Sequence, residues 1–205
     1  PNKIWQEGDS QNAIYAVRSL GIDPSNGREL FLKKNGEVTY TWDANDRVFC
    51  GVDQPDYRGN INTMFMWKDL SVNLSFGYEW GGQQYNSTLI SRVENADKKY
   101  NVDRRVYEDR WKEPGDRTFF KGINETTATQ ATSRFVQDEA TFTCQNLNVT
   151  YDLKGNKWLK RNLGIQTLTL KGDIADLFRI STIKQERGTS YPFSRQFSFT
   201  LSAMF

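Results

Sequence analysis

The clearest pattern along the chain is an alternation of apolar and polar positions. It is cleanest at the end. From Pro192 to Phe205 (PFSRQFSFTLSAMF), Phe193, Phe197, Phe199, Leu201, Ala203 and Phe205 share one parity, broken only by Arg195, and Gln196, Ser198, Thr200 and Ser202 share the other. A strand repeats every two residues, so this stretch predicts one apolar and one polar face. Leu70 to Trp80 does the same, with Leu70, Val72, Leu74, Phe76, Tyr78 and Trp80 opposed to Ser71, Asn73, Ser75, Gly77, Glu79 and Gly81. That length suits a tilted strand crossing a bilayer. The aromatics gather at its far end, as in an interfacial girdle, and a strand with lipid on one side and a wet lumen on the other needs no covering layer.

The remaining segments are less regular. Gln11 to Leu20 reads as a weak strand, and Gly21 to Gly27 (GIDPSNG) is turn chemistry. Glu29 to Lys33 and Glu37 to Trp42 predict a short hairpin around Lys34-Asn35-Gly36; Val48 to Val52 is short and apolar, and Gln54 to Gly59 punctuates again. Asn60 to Met66 alternates and leads through a tight turn, Trp67-Lys68-Asp69, into the Leu70 strand. Asn86 to Arg134 is a long polar excursion with room for short helices. Phe135 to Leu153 predicts a long strand whose phase slips near Gln145-Asn146, the mark of a bulge. Lys154 to Asn162 reads as a short basic turn, and Leu163 to Phe178 as a strand whose face the sequence does not assign.

Long connections (21–59, 86–134, 179–192) alternate with short ones (67–69, 154–162), as expected of antiparallel strands with brief turns on one side of a bilayer and large loops on the other. The expected fold is therefore all-β: an antiparallel transmembrane β-barrel segment of about six strands with long extracellular loops. Six strands do not close a wide barrel, and lipid does not tolerate an open edge, so the rest of the barrel is expected from another piece.

Composition changes this picture only in part. The chain is 37% hydrophobic and 14% aromatic, with a mean hydropathy of -0.71; the polar excess falls in the long connections. No apolar run is long enough for a transmembrane helix, which leaves a barrel untouched. Residue 1 is Pro, so a mature or truncated product is expected. The absence of histidine removes the commonest metal ligand and general base. The 27 basic and 25 acidic residues are mixed, with no basic block suited to nucleic acid. Cys50 and Cys144 allow one disulfide or two separate thiols. No cofactor, metal or catalytic activity is expected.

Several stretches resemble the C-terminal part of SusC/RagA-type TonB-dependent outer-membrane transporters. Asn35 to Gly59 (NGEVTYTWDANDRVFCGVDQPDYRG) resembles the G-x-(V/I)-T … D-x-x-x-x-G … P-x-x-x-G stretch of that family. Asn60 to Asn86 resembles the hairpin that follows, with Gly81, Gly82, Tyr85 and Asn86 at its end. Arg110-Trp111 with Pro114-Gly115-Asp116 resembles its R-W-x-x-P-G-D element. Ala140 to Asp152 looks like its S-F-x-R-L-x-N-(L/I)-x-L-x-Y strand, departing at Cys144 and by one residue before Asn146. Ala175 to Phe178 keeps part of its N-L-F element, and Tyr191-Pro192 with the terminal Phe205 looks like its ending.

The resemblance implies a 22-stranded barrel of which this chain is the last portion, residues 1–205, with no plug domain. It implies import of oligosaccharides or peptides into the periplasm across the bacterial outer membrane, driven through TonB, ExbB and ExbD. It also implies partners: the plug and remaining strands of the transporter chain, a SusD-like lipoprotein acting as a lid, and outer-membrane lipid. Two alternatives stand beside it. One is a soluble carbohydrate-binding β-sandwich at the cell surface, burying Leu70–Trp80 against Phe193–Phe205. The other is a structural outer-membrane barrel that transports nothing.

Candidate sites are few. Tyr85, Tyr107, Trp111, Phe119 and Phe120 are placed to stack on sugar rings or to meet a lid protein, and self-packing of the loop is the plainer alternative. Leu70, Val72, Leu74, Phe76, Phe197, Phe199, Leu201 and Phe205 are the expected lipid-facing strand residues. Asp103, Glu108, Asp109 and Glu113 contain no pair with the fixed separation that glycoside hydrolysis needs, and read as a solvated charged loop. Lys154, Lys157, Lys160 and Arg161 read as a solvated turn. Asn86, Asn124 and Asn148 open N-x-S/T sequons, which matter only on a eukaryotic secretory route.

Overall fold

The computed structural model describes residues 4–97, 99–100, 102–183 and 195–205. Tyr191-Pro192, Phe193 and most of the connection 179–192 lie outside the described residues. The chain divides into two compact units. One comprises residues up to Pro55 together with Gly81–Glu139; the other comprises Asp56–Trp80, Ala140–Thr182 and the last strand.

The first unit is built on a four-stranded sheet. Its strands are β1 (Ala13–Ile22), β2 (Glu29–Leu32), β3 (Val38–Thr39) and β4 (Arg47–Val52), in the order β3-β2-β1-β4. Strand β1 pairs antiparallel with β2 through Arg18–Ile22 and with β4 through Ala13–Val17. On its other side Val17 makes a parallel bridge to Thr132. Ala13 to Val17 are all buried. A strand covered on both faces needs an unbroken apolar run, and Ala-Ile-Tyr-Ala-Val supplies one. A second cluster of buried residues joins Leu89, Ile90, Val93, Val106, Phe120 and Phe135. The chain there turns through short helical pieces, Ser87–Leu89, Ile90–Glu94 and Arg105–Glu108. The first is capped by the Asn86 side chain, which accepts from the Leu89 N–H at 2.9 Å.

The second unit holds most of a five-stranded antiparallel sheet. The strands of this sheet are β5 (Tyr57–Trp67), β6 (Leu70–Tyr85), β7 (Val136–Lys154), β8 (Thr167–Ser181) and β9 (Gln196–Met204), in sequence order, the ends of β6 and β7 running into the first unit. Strands β5 and β6 pair without a slip from Tyr57↔Trp80 to Trp67↔Leu70, through a two-residue loop with Lys68 at φ 53°. Strands β7 and β8 change register between Cys144 and Asn146, where the slipped alternation predicted a bulge. On the partner strand Asp176 takes φ 52°. Residues 154–162 are not all turn. Lys157–Leu163 forms a helix, opened by Asn156, whose side chain accepts from Trp158 and Leu159 N–H, and closed by Gly164 at φ 69°.

The sheet keeps its two faces apart. Across one face Ser75 Oγ donates to Asn62 Oδ1 at 2.7 Å and Thr169 Oγ1 to Asp152 Oδ1 at 2.6 Å, and the Asn148 amide bonds Asp173. The other face carries Phe197, Phe199, Leu201 and Phe205, which are exposed, with Phe199 at 73%, and Leu70, Val72, Leu74 and Phe76, which are half-buried. Leu70–Trp80 and the last strand therefore lie in one sheet and do not bury each other.

The expected transmembrane barrel segment is corrected by this architecture. The described strands form two separate open sheets, not about six strands of one wall, and neither sheet closes. Closure requires the first and last strands to pair, whereas β5 and β9 are both edges. The descriptions β-barrel and transmembrane β-strand fall with it. The count failed because Gln11–Leu20, counted with the alternating strands, is β1, which pairs with β2 and β4 in the other sheet. Among the described residues no helix is long and apolar enough to cross a membrane. Cys50 and Cys144 are both free thiols.

Candidate functional site

The site lies within the first unit, where the turn after β1 meets the segment 107–125. Asp23 organises the turn. Its carboxylate accepts from Ser25 N–H at 2.8 Å and from the Tyr40 hydroxyl, and its carbonyl accepts from Gly27 N–H at 2.9 Å. The Tyr40 hydrogen bond, reinforced by Ser25, holds the Asp23 carboxyl below the usual carboxylate range.

Segment 110–116 folds through its own residues. Asp116 Oδ2 accepts from Lys112 N–H at 3.0 Å and from Glu113 N–H at 3.1 Å, closing the Pro114-Gly115 turn. Gly115 N–H donates to Pro24 O at 2.8 Å, and Trp111 Nε1 donates to the same carbonyl at 2.8 Å. The indole lies on Gly27, where a Cβ would sit 2.5 Å from the ring, and Gly27 has φ 72°. Both the backbone angle and the contact require glycine there. Gly122 N–H donates to Gly27 O at 2.9 Å and closes the layer from the other strand of the loop.

These contacts leave an open cavity of about 350 Å³ between the turn and the loop. Asn26 and Arg28 line it from the turn side, and Tyr107, Arg110, Trp111, Lys112, Asn124 and Glu125 from the loop side. The Lys112 ammonium lies 4.4 Å from the centroid of the exposed Tyr107 ring, and Arg28 lies over Tyr40 at 4.9 Å. Arg28 also reaches Glu125 at 3.7 Å, a long and partly solvated pair.

The same unit holds a buried charge cluster. The Arg134 guanidinium forks onto Glu29 (Nε–Oε1 3.0 Å, Nη2–Oε2 2.7 Å), reaches Glu94 Oε1 at 2.7 Å and donates to Phe119 O at 2.6 Å. The three side chains are 4%, 7% and 0% exposed. Burial opposes the Arg134 charge, but the hydrogen bonds to Glu29 and Glu94 outweigh it and its pKa is raised. Ser19 and Thr132 hydroxyls complete Glu29 at 2.6 and 2.7 Å. Arg110 donates through its Nη groups to Val93 O, Glu94 O and Lys121 O, while its buried Nε has no acceptor. Burial pushes the Arg110 and Lys121 pKa values down, against the nearby Glu94 charge.

The structure separates the candidate aromatics. Tyr107 and Trp111 share the cavity. Phe120 is buried in the apolar cluster, Tyr85 packs against it, and Phe119 stands edge-on to Phe120 and Phe135. Of the loop carboxylates, Asp103 pairs with Arg105 at 2.9 Å and Glu108 with Arg104 at 2.8 Å. Among the described residues no cluster of three metal-binding side chains occurs. The sequence reading missed Asn26, Arg28, Lys112 and Glu125 at the cavity and the Glu29–Arg134–Glu94 cluster. No local spacing announces them, because their elements meet only in the fold.

The architecture is that of an all-β chain of two antiparallel sheets carrying long structured connections. It is similar to a chain in the structure of the RagAB peptide importer in the "open-open" state, with 19% identity and a TM-score of 0.75, over 100% of this chain and 23% of that one. A chain in the structure of the RagAB peptide transporter gives 19% identity and 0.71 over 93% and 22%, and one in the importer's "closed-closed" state gives 18% and 0.69 over 99% and 25%. The chain spans about a quarter of the length of the chains it matches. At this identity the likeness shows the fold. No family model matches, and no curated protein matches.

Proposed function

We propose that this chain is the ligand-holding part of a nutrient-import system at the bacterial outer membrane, acting by binding and not by catalysis. The observation that carries this reading is the cavity between the turn at Asn26–Arg28 and the segment 107–125, lined by aromatic, cationic and amide side chains. Convergent polar groups around a concave, partly apolar surface are what a small-molecule site needs. The ligand is an oligosaccharide or a peptide, held by Tyr107 and Trp111. The likeness in fold to RagAB chains, and the motif resemblance to SusC/RagA-type transporters, support placing the chain in an import assembly. A SusD-like lipoprotein covering the site and energy delivered through TonB, ExbB and ExbD are parts of the proposal that rest on the motifs alone.

The apolar face of the second sheet fits the same context. Leu70, Val72, Leu74, Phe76, Phe197, Phe199, Leu201 and Phe205 need apolar surroundings. The remainder of a longer importer chain, or the lipid around it, supplies them.

Uptake of labelled oligosaccharides and peptides, in cells carrying the wild-type or the Tyr107→Ala gene, tests the reading. Slower uptake of one labelled class in the variant, at equal protein level, supports it. Equal uptake of every ligand overturns it. The second reading, a surface carbohydrate-binding protein without transport, is favoured by the two open sheets and the self-contained cavity; it requires that deleting the gene removes surface binding of saccharide but leaves uptake intact.

A further inference from the structure

We infer that the cavity selects a carboxylate-bearing sugar, a uronate unit of an acidic oligosaccharide. The inference deepens the binding role proposed above and rests on it. Three cations border the cavity, Arg28, Arg110 and Lys112, against one carboxylate, Glu125. Among the described residues neither Arg28 nor Lys112 has a close buried carboxylate partner. Among the described residues Arg28 is held by the 3.7 Å pair to Glu125 and by the Tyr40 ring. Lys112 Nζ rests over the Tyr107 ring. Arg110 is 3% exposed, donates only to main-chain carbonyls and keeps one N–H without an acceptor. Glu94 offsets part of the Arg110 charge, so the positive field in the cavity comes mainly from Arg28 and Lys112. An anionic group entering from solvent answers that field.

The rest of the lining matches a sugar rather than a peptide. Asn124 lines the cavity with a planar amide that can both donate and accept, as vicinal hydroxyls require, whereas the Asn26 amide is engaged in the turn by Asp23, Tyr40 and the Arg28 N–H. Tyr107, 69% exposed, carries the Lys112 ammonium over its ring, so a pyranose that takes that place on the ring brings its carboxylate to the displaced cation. None of the cavity residues named here belongs to a strand, so no free sheet edge is offered for a peptide main chain to pair with. A volume of about 350 Å³ holds one or two sugar rings.

Isothermal calorimetry on the full chain in mild surfactant, with trigalacturonate, neutral trigalactose and triglutamate as probes, tests the assignment. Trigalacturonate should bind at least about 10-fold tighter than trigalactose, and its affinity should fall with salt. Lys112→Met and Arg28→Met should each weaken it about 10-fold without weakening trigalactose. Glu125→Gln should tighten it about 3-fold, a direction that a damaged fold does not produce. Equal binding of trigalactose overturns the uronate assignment and leaves the binding role standing. Tighter binding of triglutamate overturns it in favour of a peptide site. No binding of any of the three overturns both.

Discussion

Replacing Arg134 by Met isolates the charge cluster that joins β1, β2 and the loop. Methionine fills similar space and donates nothing. The variant strips the fork from Glu29, the bond to Glu94 Oε1 and the bond to Phe119 O, all at 3.0 Å or less. It leaves two carboxylates, 7% and 0% exposed, without their cation. Breaking a buried pair from one side costs about 3–5 kcal/mol, because an uncompensated charge stays in the interior. Domains of this size hold about 5–15 kcal/mol, so a large share of the first unit's stability is at stake. Hydrogen exchange read by mass spectrometry at Ala13–Ser19 and Leu89–Glu94, with urea unfolding, measures the loss. Arg134→Lys, which keeps the charge and loses the fork, should fall between wild type and Met. Adding Glu29→Gln to Arg134→Met should restore part of the loss, since that carboxylate has lost its cation, while Glu94 still faces Arg110 and Lys121. An Arg134→Met chain within about 1 kcal/mol of wild type, or a Glu29→Gln, Arg134→Met double variant worse than the single, refutes the account.

Gly27→Ala should cost more than the about 1–2 kcal/mol of a left-handed backbone alone, because its Cβ would lie 2.5 Å from the Trp111 ring. The urea midpoint should drop and tryptophan emission shift to the red, and an unchanged midpoint would sink the contact. Tyr40→Phe tests the lowered Asp23 carboxyl. A folded pKa below the unfolded value means that the unfolded state binds more protons between the two, so the stabilisation is complete above the ordinary value of 3.8 and is lost as pH falls through the folded one. The variant should therefore show a smaller loss of stability on acidification below about pH 4 than wild type does; equal slopes in acid unfolding curves would refute the assignment.

How far the sequence could be read followed from burial. Strands β6 and β9 were legible because one face is polar and the other apolar, the condition under which a two-residue period shows. Strand β1 was legible only as a weak strand at Gln11–Leu20, because Ala13–Val17 is covered on both faces and its period disappears. The unassigned face of 163–178 has a simple cause. Leu163 ends a helix and Ile165 precedes the strand, so neither bears on the face that Leu168 and Leu170 define from Thr167 onward. The bulge at Cys144–Asn146 was readable because a slip of one residue inverts every later side chain. Tyr107 and Trp111 could be proposed from aromatic character alone. Arg28, Lys112 and Glu125 could not, since a charged side chain at a cavity rim has the same sequence signature as one in open solvent.

The second sheet, with unpaired rims at β5 and β9 and phenylalanine, leucine and tryptophan side chains along one side, is an adhesive plate in water. Concentrated preparations will clump through it before any ligand is met, and sedimentation in plain buffer will report that self-adhesion instead of the behaviour of the cavity. The greasy plate thus dictates how the molecule must be handled on the bench, while the charged hollow in the other unit decides what there is to measure.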